Sequence, residues 1–211
     1  MRIRCLALAA LLVALLSLAP TVPASAAPTL SRIGKAHGDT IDDTFLYSSR
    51  PTAVYGASSM MAVGRPGSGE ERMLLRYPLA KVAGSSVLNA TLHLTRSGGA
   101  TSPFTLRAYR LNRSDVAWPE ATWGVYRAGA SWAVPGAGGA GSDYRAELFA
   151  ESSSYTDFEV TALARAALAE GQTTLDLLIV DPAPVPSRYV SLYSSEVSIP
   201  QWAPVLDVAT R

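Results

Sequence analysis

Short stretches in which apolar and polar residues alternate recur along the chain, separated by Gly, Pro, Ser and Asn. Alternation with period two marks a strand with one buried face. It occurs at 40–47, 59–63, 72–79, 86–95, 105–111, 154–160, 174–180, 189–197 and 204–210. The stretch VLNATLHLT shows it best. There Leu88, Ala90, Leu92 and Leu94 turn to a core while Asn89, Thr91, His93 and Thr95 face away. Helical spacing is confined to TALARAALA (161–169), which is rich in strong helix formers, begins with Thr161 as a candidate cap and is followed by Gly171. Leu163, Ala166 and Ala167 form the packing side of that helix. About nine strands at this spacing, with one short helix between two of them, predict an all-β sandwich.

The first 26 residues depart from this pattern. Arg2 and Arg4 precede the apolar run Leu6 to Leu18, and Pro23-Ala24-Ser25-Ala26 closes it with small residues. This is the pattern of a secretory signal peptide, and the run is too short and too interrupted by proline for a retained spanning helix. The only cysteine, Cys5, would leave with it, so the mature protein has no disulfide and no Cys ligand. Loss of Arg2 and Arg4 takes the 18 basic and 17 acidic side chains to 16 and 17, a formal charge of −1. Such a balance argues against a nucleic-acid-coating protein, and no later apolar run approaches membrane length. Residues 27–39 have little pattern and read as a flexible lead-in; 40–211 read as one domain, large enough for a disulfide-free core. The run GAGGAG at 136–141 reads as a flexible connector, because a phosphate loop needs a preceding strand and a following helix.

Little of the sequence suits catalysis. Two histidines, His37 and His93, leave no material for a three-His zinc site, and no GxSxG, HExxH or P-loop motif occurs. Carboxylates suited to a hydrolase or lyase exist, among them Asp42, Asp43, Glu120, Asp157, Glu159, Asp181, Glu196 and Asp207, but turn capping and surface solvation account for them. The protein is expected not to be an enzyme.

Six stretches together carry a family resemblance: DDTFLYSSRPTAVYG (42–56), ERMLLRYPL (71–79), SSVLNATLHL (85–94), WPEATWGVY (118–126), FEVTALARAALAEG (158–171) and YSSEVSIPQWAPVLDV (193–208). In order and spacing they resemble the domains called DNRLRE. The resemblance implies a jelly-roll β-sandwich classed with carbohydrate-binding modules, some of which are reported to bind alginate-like acidic polysaccharides. It also implies that the segment holding Trp118, Glu120, Thr122 and Trp123 is a long irregular loop. Large buried rings are a means of pinning such a loop, so Trp118 and Trp123 are expected to be anchors. Trp132, set among Ala, Val, Gly and Pro, divides between packing and stacking on a sugar ring.

On a jelly roll that binds a long acidic ligand along one sheet face, the candidate contacts are Arg72, Arg76, Arg107 and Arg110 with His93, since an arginine fork meets a carboxylate bidentately. Tyr193 would add stacking, alongside Tyr47, Tyr77 and Tyr109. The competing use of these arginines is in ion pairs with Glu70, Glu71 and Glu159. The fold also implies a candidate structural Ca²⁺ where first and last strands meet, with Asp43 and Glu196 as ligands. Against it stand a turn-capping Asp43, a Glu196 bonded to backbone and the lack of a calcium-loop motif. The reading that results is a secreted, non-catalytic module attaching to extracellular, acidic polysaccharide. The alternatives are a matrix or cell-surface protein whose sandwich face meets another protein and, more weakly, a secreted hydrolase or lyase. Mass spectrometry of the exported protein should find its N-terminus at or near Ala27; an intact Met1 on a membrane-bound form would overturn the signal-peptide reading.

Overall fold

The computed structural model describes residues 27–99, 104–139, 144–154 and 156–211; the segment expected to be a signal peptide, with Cys5, lies outside them. In chain order the strands are β1 (Thr29–Gly34), β2 (Asp42–Tyr47), β3 (Met60–Arg65), β4 (Glu71–Pro78), β5 (Val87–His93), β6 (Arg96–Gly99) and β7 (Leu106–Leu111). A small hairpin follows, β8 (Val125–Arg127) and β9 (Ala130–Ser131), and then β10 (Tyr144–Ser152) and β11 (Asp157–Glu159). Helix α1 (Thr161–Ala169) leads to β12 (Thr174–Val180), β13 (Arg188–Tyr193) and β14 (Val205–Thr210). One antiparallel sheet has the order β1-β14-β5-β11, and the other β10-β7-β12-β4-β3-β13-β6 with β2 also on β4. The chain is thus an all-β sandwich with one short helix among its described residues. None of its described helices is long and apolar enough to cross a membrane.

Alternation builds the core. Ile33, Leu206, Leu92 and Phe158 stand opposite one another in register and form one apolar row across all four strands of the smaller sheet. On the larger sheet Leu75 stands opposite Leu177 and Tyr77 opposite Leu175 across β4 and β12, and all eight side chains are fully buried between the layers. Helix α1 adds Leu163, Ala164 and Ala167 to this core. Its Thr161 does not cap the helix. The Thr161 hydroxyl accepts the Ala90 N–H at 2.7 Å, so α1 is tied to β5 and Val160 takes the cap position.

Two expectations are corrected by the sheet. Leu88 is exposed and Val87 buried, because a register irregularity between Ala209 and Thr210 on β14 offsets the start of β5 by one residue. The segment 27–39 is not an unstructured lead-in. It supplies edge strand β1, paired with β14 from Thr29↔Thr210 to Gly34↔Val205, and then the 3₁₀ turn Lys35–His37. Main-chain pairing to a strand 170 or more residues away leaves almost no mark in local sequence.

The outer face of the larger sheet is apolar as well. Thr44, Leu74, Leu178 and Tyr109 lie side by side across β2, β4, β12 and β7. The segment between β7 and β10 covers this row with Val116, Trp118, Ala121, Tyr126, Trp132 and Ala137, and Trp123 packs half-buried at its margin. Two strand arginines clamp it. The Arg72 guanidinium lies 4.9 Å from the Trp123 ring and donates to Gly136 O at 2.7 Å. Arg76 lies 4.8 Å from the Trp118 ring and donates to Ser114 O at 3.1 Å. The Trp132 indole N–H donates to Thr122 O at 2.8 Å. Gly136 is required here: its φ is 74°, and a Cβ would fall 2.8 Å from the Trp123 ring. The described part of the GAGGAG run is therefore a packed turn. Trp118→Ala and Trp132→Ala should each cost about 3–5 kcal/mol in urea unfolding, and Trp123→Ala less, in keeping with its partial exposure. A parent-like midpoint for Trp132→Ala would show that burial does not hold the loop.

Candidate functional site

The arginines named from the sequence do not form one open face. Arg72, Arg76 and Arg107 lie on the outer side of the larger sheet, each already engaged. Arg72 pairs with Glu70 at 2.7 Å, Arg76 forks onto both Asp176 oxygens at 2.8 and 2.6 Å, and Arg107 pairs with Glu151 at 2.7 Å beneath Phe149. Arg110 points inward, buried, and donates to both Glu170 oxygens at 2.8 Å. Trp132 is buried under the loop, so its ring faces protein on both sides. The first two arginines and Trp132 hold the structure together in place of presenting a surface.

His93 belongs to the opposite sheet, and a groove lies there. On the outer face of the smaller sheet Arg32 stands directly opposite Asp207, and His93 opposite Asp157. Arg32 Nε is 3.3 Å from Asp207 Oδ2, His93 Nε2 is 3.7 Å from the same oxygen, and His93 Nδ1 is 2.6 Å from Asp157 Oδ1. An alternating ladder of charged and titratable groups thus crosses all four strands. It borders a groove of about 370 Å³ lined by Arg32, His37, His93, Gln201 and Asp207 over the apolar Ala36 and Val205.

The 3₁₀ turn Pro200–Trp202 adds an aromatic to this end of the sheet. It packs on the turn Lys35–His37 and turns Gln201 into the groove, while Trp202 stacks on Tyr193 with ring centroids 4.9 Å apart and planes at 27°. Trp202 remains 40% exposed. Tyr193, named from the sequence as a stacking contact for a ligand, stacks here on a tryptophan that sequence reasoning passed over. Arg32, His37 and Gln201 were passed over too. The signal available was the fourth tryptophan, held between prolines in IPQWAP.

Asp43 and Glu196 approach the same strand junction from different sides of Ser195. Asp43 is buried and accepts the Ser195 N–H at 2.5 Å, whereas Glu196 is exposed and borders a small pocket with Lys35 and Asp39. The Ser195 carbonyl, an obvious further oxygen ligand, receives the Lys35 ammonium at 2.6 Å. Among the described residues no three His, Cys, Asp or Glu side chains converge as metal ligands. Ca²⁺ takes six to eight oxygens. The residues at this junction do not fit it: one carboxylate is spent on an amide, and a fixed ammonium already holds the neighbouring carbonyl.

Residues 35–209 match the model of carbohydrate-binding module family 96, which spans most of the chain. Among curated proteins, none matches the chain.

The junction has a pH signature. Burial pushes the Asp43 carboxyl up to about 7, against the Ser195 hydrogen bonds that lower it and with Glu196 and Asp42 adding repulsion; burial alone pushes Glu71 to about 7. The folded state therefore holds protons that the unfolded chain releases above about pH 4. Stability should fall as pH rises from about 4 to about 7, Asp43 contributing up to about 4 kcal/mol of that fall. Asp43→Asn keeps an acceptor for the Ser195 amide and should flatten this decline in unfolding free energy; an unaltered slope would show that Asp43 does not titrate there.

Proposed function

The chain belongs to carbohydrate-binding module family 96, and on that premise we propose that it is a secreted, non-catalytic module that attaches to extracellular polysaccharide through the groove on its four-stranded sheet. The observation that carries this reading is a groove of mixed polar groups whose lining residue Gln201 is followed in the chain by the exposed Trp202 ring, stacked on Tyr193. A sugar ring has an apolar C–H face and a polar rim. Aromatic area answers the first, and Gln201, Asp207, His93 and Arg32 supply donors and acceptors for hydroxyls. Sites of this kind bind without chemistry: the carboxylates nearest the groove, Asp157 and Asp207, are paired with His93 and Arg32. Acidic polysaccharide is the first target in this proposal, in line with the resemblance to DNRLRE domains.

Affinity electrophoresis against a panel of neutral and acidic polysaccharides tests the reading. The parent should be retarded by at least one of them, and Trp202→Ala should weaken that binding about tenfold or more while lowering the melting temperature only by the modest worth of its stack on Tyr193. Binding by Trp202→Ala equal to the parent's would move the site elsewhere.

A further inference from the structure

We infer that His93 makes ligand binding in the groove proton-dependent: the neutral ring offers the ligand an acceptor, and protonation withdraws it. The inference rests on the groove being the glycan site. His93 ends β5 and lies in the groove lining, and the charged and titratable groups around it come from four other elements. Asp157 on β11 and Asp207 on β14 face its two ring nitrogens, Arg32 on β1 stands opposite Asp207, and His37 on the turn Lys35–His37 shares the lining.

The two nitrogens differ in what they meet. Nδ1 is 2.6 Å from Asp157 Oδ1. An ionised carboxylate only accepts, so at this distance Nδ1 carries the proton. The neutral ring then has a bare lone pair at Nε2, 3.7 Å from Asp207 Oδ2 and too far from it for a hydrogen bond. The other oxygen of Asp207 is buried, which leaves Oδ2 to the groove, and the His93 side chain is 45% accessible. Nε2 and Oδ2 are thus two acceptors side by side, and a vicinal pair of sugar hydroxyls can donate one proton to each. Protonation turns Nε2 into a donor that faces a carboxylate. The imidazolium then closes on Asp207, its charge is met by a carboxylate on either side, and the acceptor is gone. Imidazole is the side chain that makes this change between about pH 5 and 8.

The test uses the purified protein at about pH 8 and about pH 5 with the polysaccharides of the panel, alginate and xylan among them. Parent affinity should fall at least about tenfold at the lower pH, while His93→Gln, which does not titrate, should bind within about twofold at the two values. Asp43, pushed up to about 7 by burial, titrates in the same range, but its protonation favours the folded state and it is intact in His93→Gln. Nitrogen NMR of the ligand-free protein at about pH 8 should place the His93 proton on Nδ1. A proton on Nε2, a parent whose binding does not change with pH, or a pH dependence that His93→Gln retains overturns the inference. Gln201→Ala removes a groove amide that does not titrate and reports on the site alone: weaker binding at both pH values supports the groove, and unchanged binding overturns that reading. A parent retarded by none of the polysaccharides overturns both.

Discussion

The eight-stranded sheet is apolar on both faces through its centre, and this constraint shapes the rest of the molecule. On β12 the residues Leu175, Leu177 and Ile179 face the other sheet, while Leu178 and Val180 face outward beside Leu74 and Tyr109. Such a face is not left in water, since each buried Leu or Val is worth about 1.5–3 kcal/mol relative to exposure. The long segment after β7 meets the need with rings, because a chain without a ladder of backbone bonds must be held by side chains. Arg72 and Arg76, which stand on the covered face, then become clamps for Trp123 and Trp118. A sheet covered in this way has no central face for a long ligand, and the four-stranded sheet is the one left open.

That open sheet has its own weak point, the edge strand β1. The chain has only two lysines, and both serve this corner. Lys81 Nζ donates to Arg32 O at 3.2 Å, His37 O at 3.4 Å and Asp39 Oδ2 at 2.7 Å, while Asp39 Oδ2 also accepts the Gly34 N–H at 3.0 Å. An ammonium has three donors, and three oxygens converge on it. One carbonyl and one amide of β1, those of Arg32 and Gly34, are thereby taken by side chains. Lys35 ties the following turn to Ser195. The two contacts fix Arg32 and His37 at the groove margin, so residues that look like an unpatterned lead-in become part of its wall.

The sandwich was legible because the alternating stretches put apolar residues at the buried positions of strands, and the helix because its composition has no other use. Where the reading failed, the deciding force was distant in sequence. β1 is held by β14, and the offset in β5 comes from an irregularity in its partner. The arginines were named as contacts, with ion pairs to Glu70, Glu71 and Glu159 as the competing use; Arg72 does meet Glu70, but the partners of Arg76 and Arg110, Asp176 and Glu170, are far away in sequence. One clue to the covered face was present, since LDLLIV in β12 is nearly continuous in apolar residues and so has two buried sides. That clue, taken with the tryptophan-rich loop, would have removed Arg72 and Arg76 from the list of contacts and left His93 as the pointer to the other sheet.

The aromatic pair draws these parts together. Tyr193 ends β13 in the larger sheet, and Trp202 enters β14 in the smaller one, so their stack bridges the two layers. The chain between them is held at both ends of its first turn: Ser194 Oγ donates to Ser58 O at 2.5 Å, and the Ser195 N–H is held by Asp43. A ring carried on a free loop would lose conformational freedom on meeting a ligand, and that loss would weaken binding. Here the ordering is already complete in the fold. The same hydrogen bond that holds the buried Asp43, whose burial costs stability as pH rises, helps hold the connection that carries Gln201 into the groove and Trp202 onto Tyr193, so stability surrendered at one junction is exchanged for rigidity at the surface it supports.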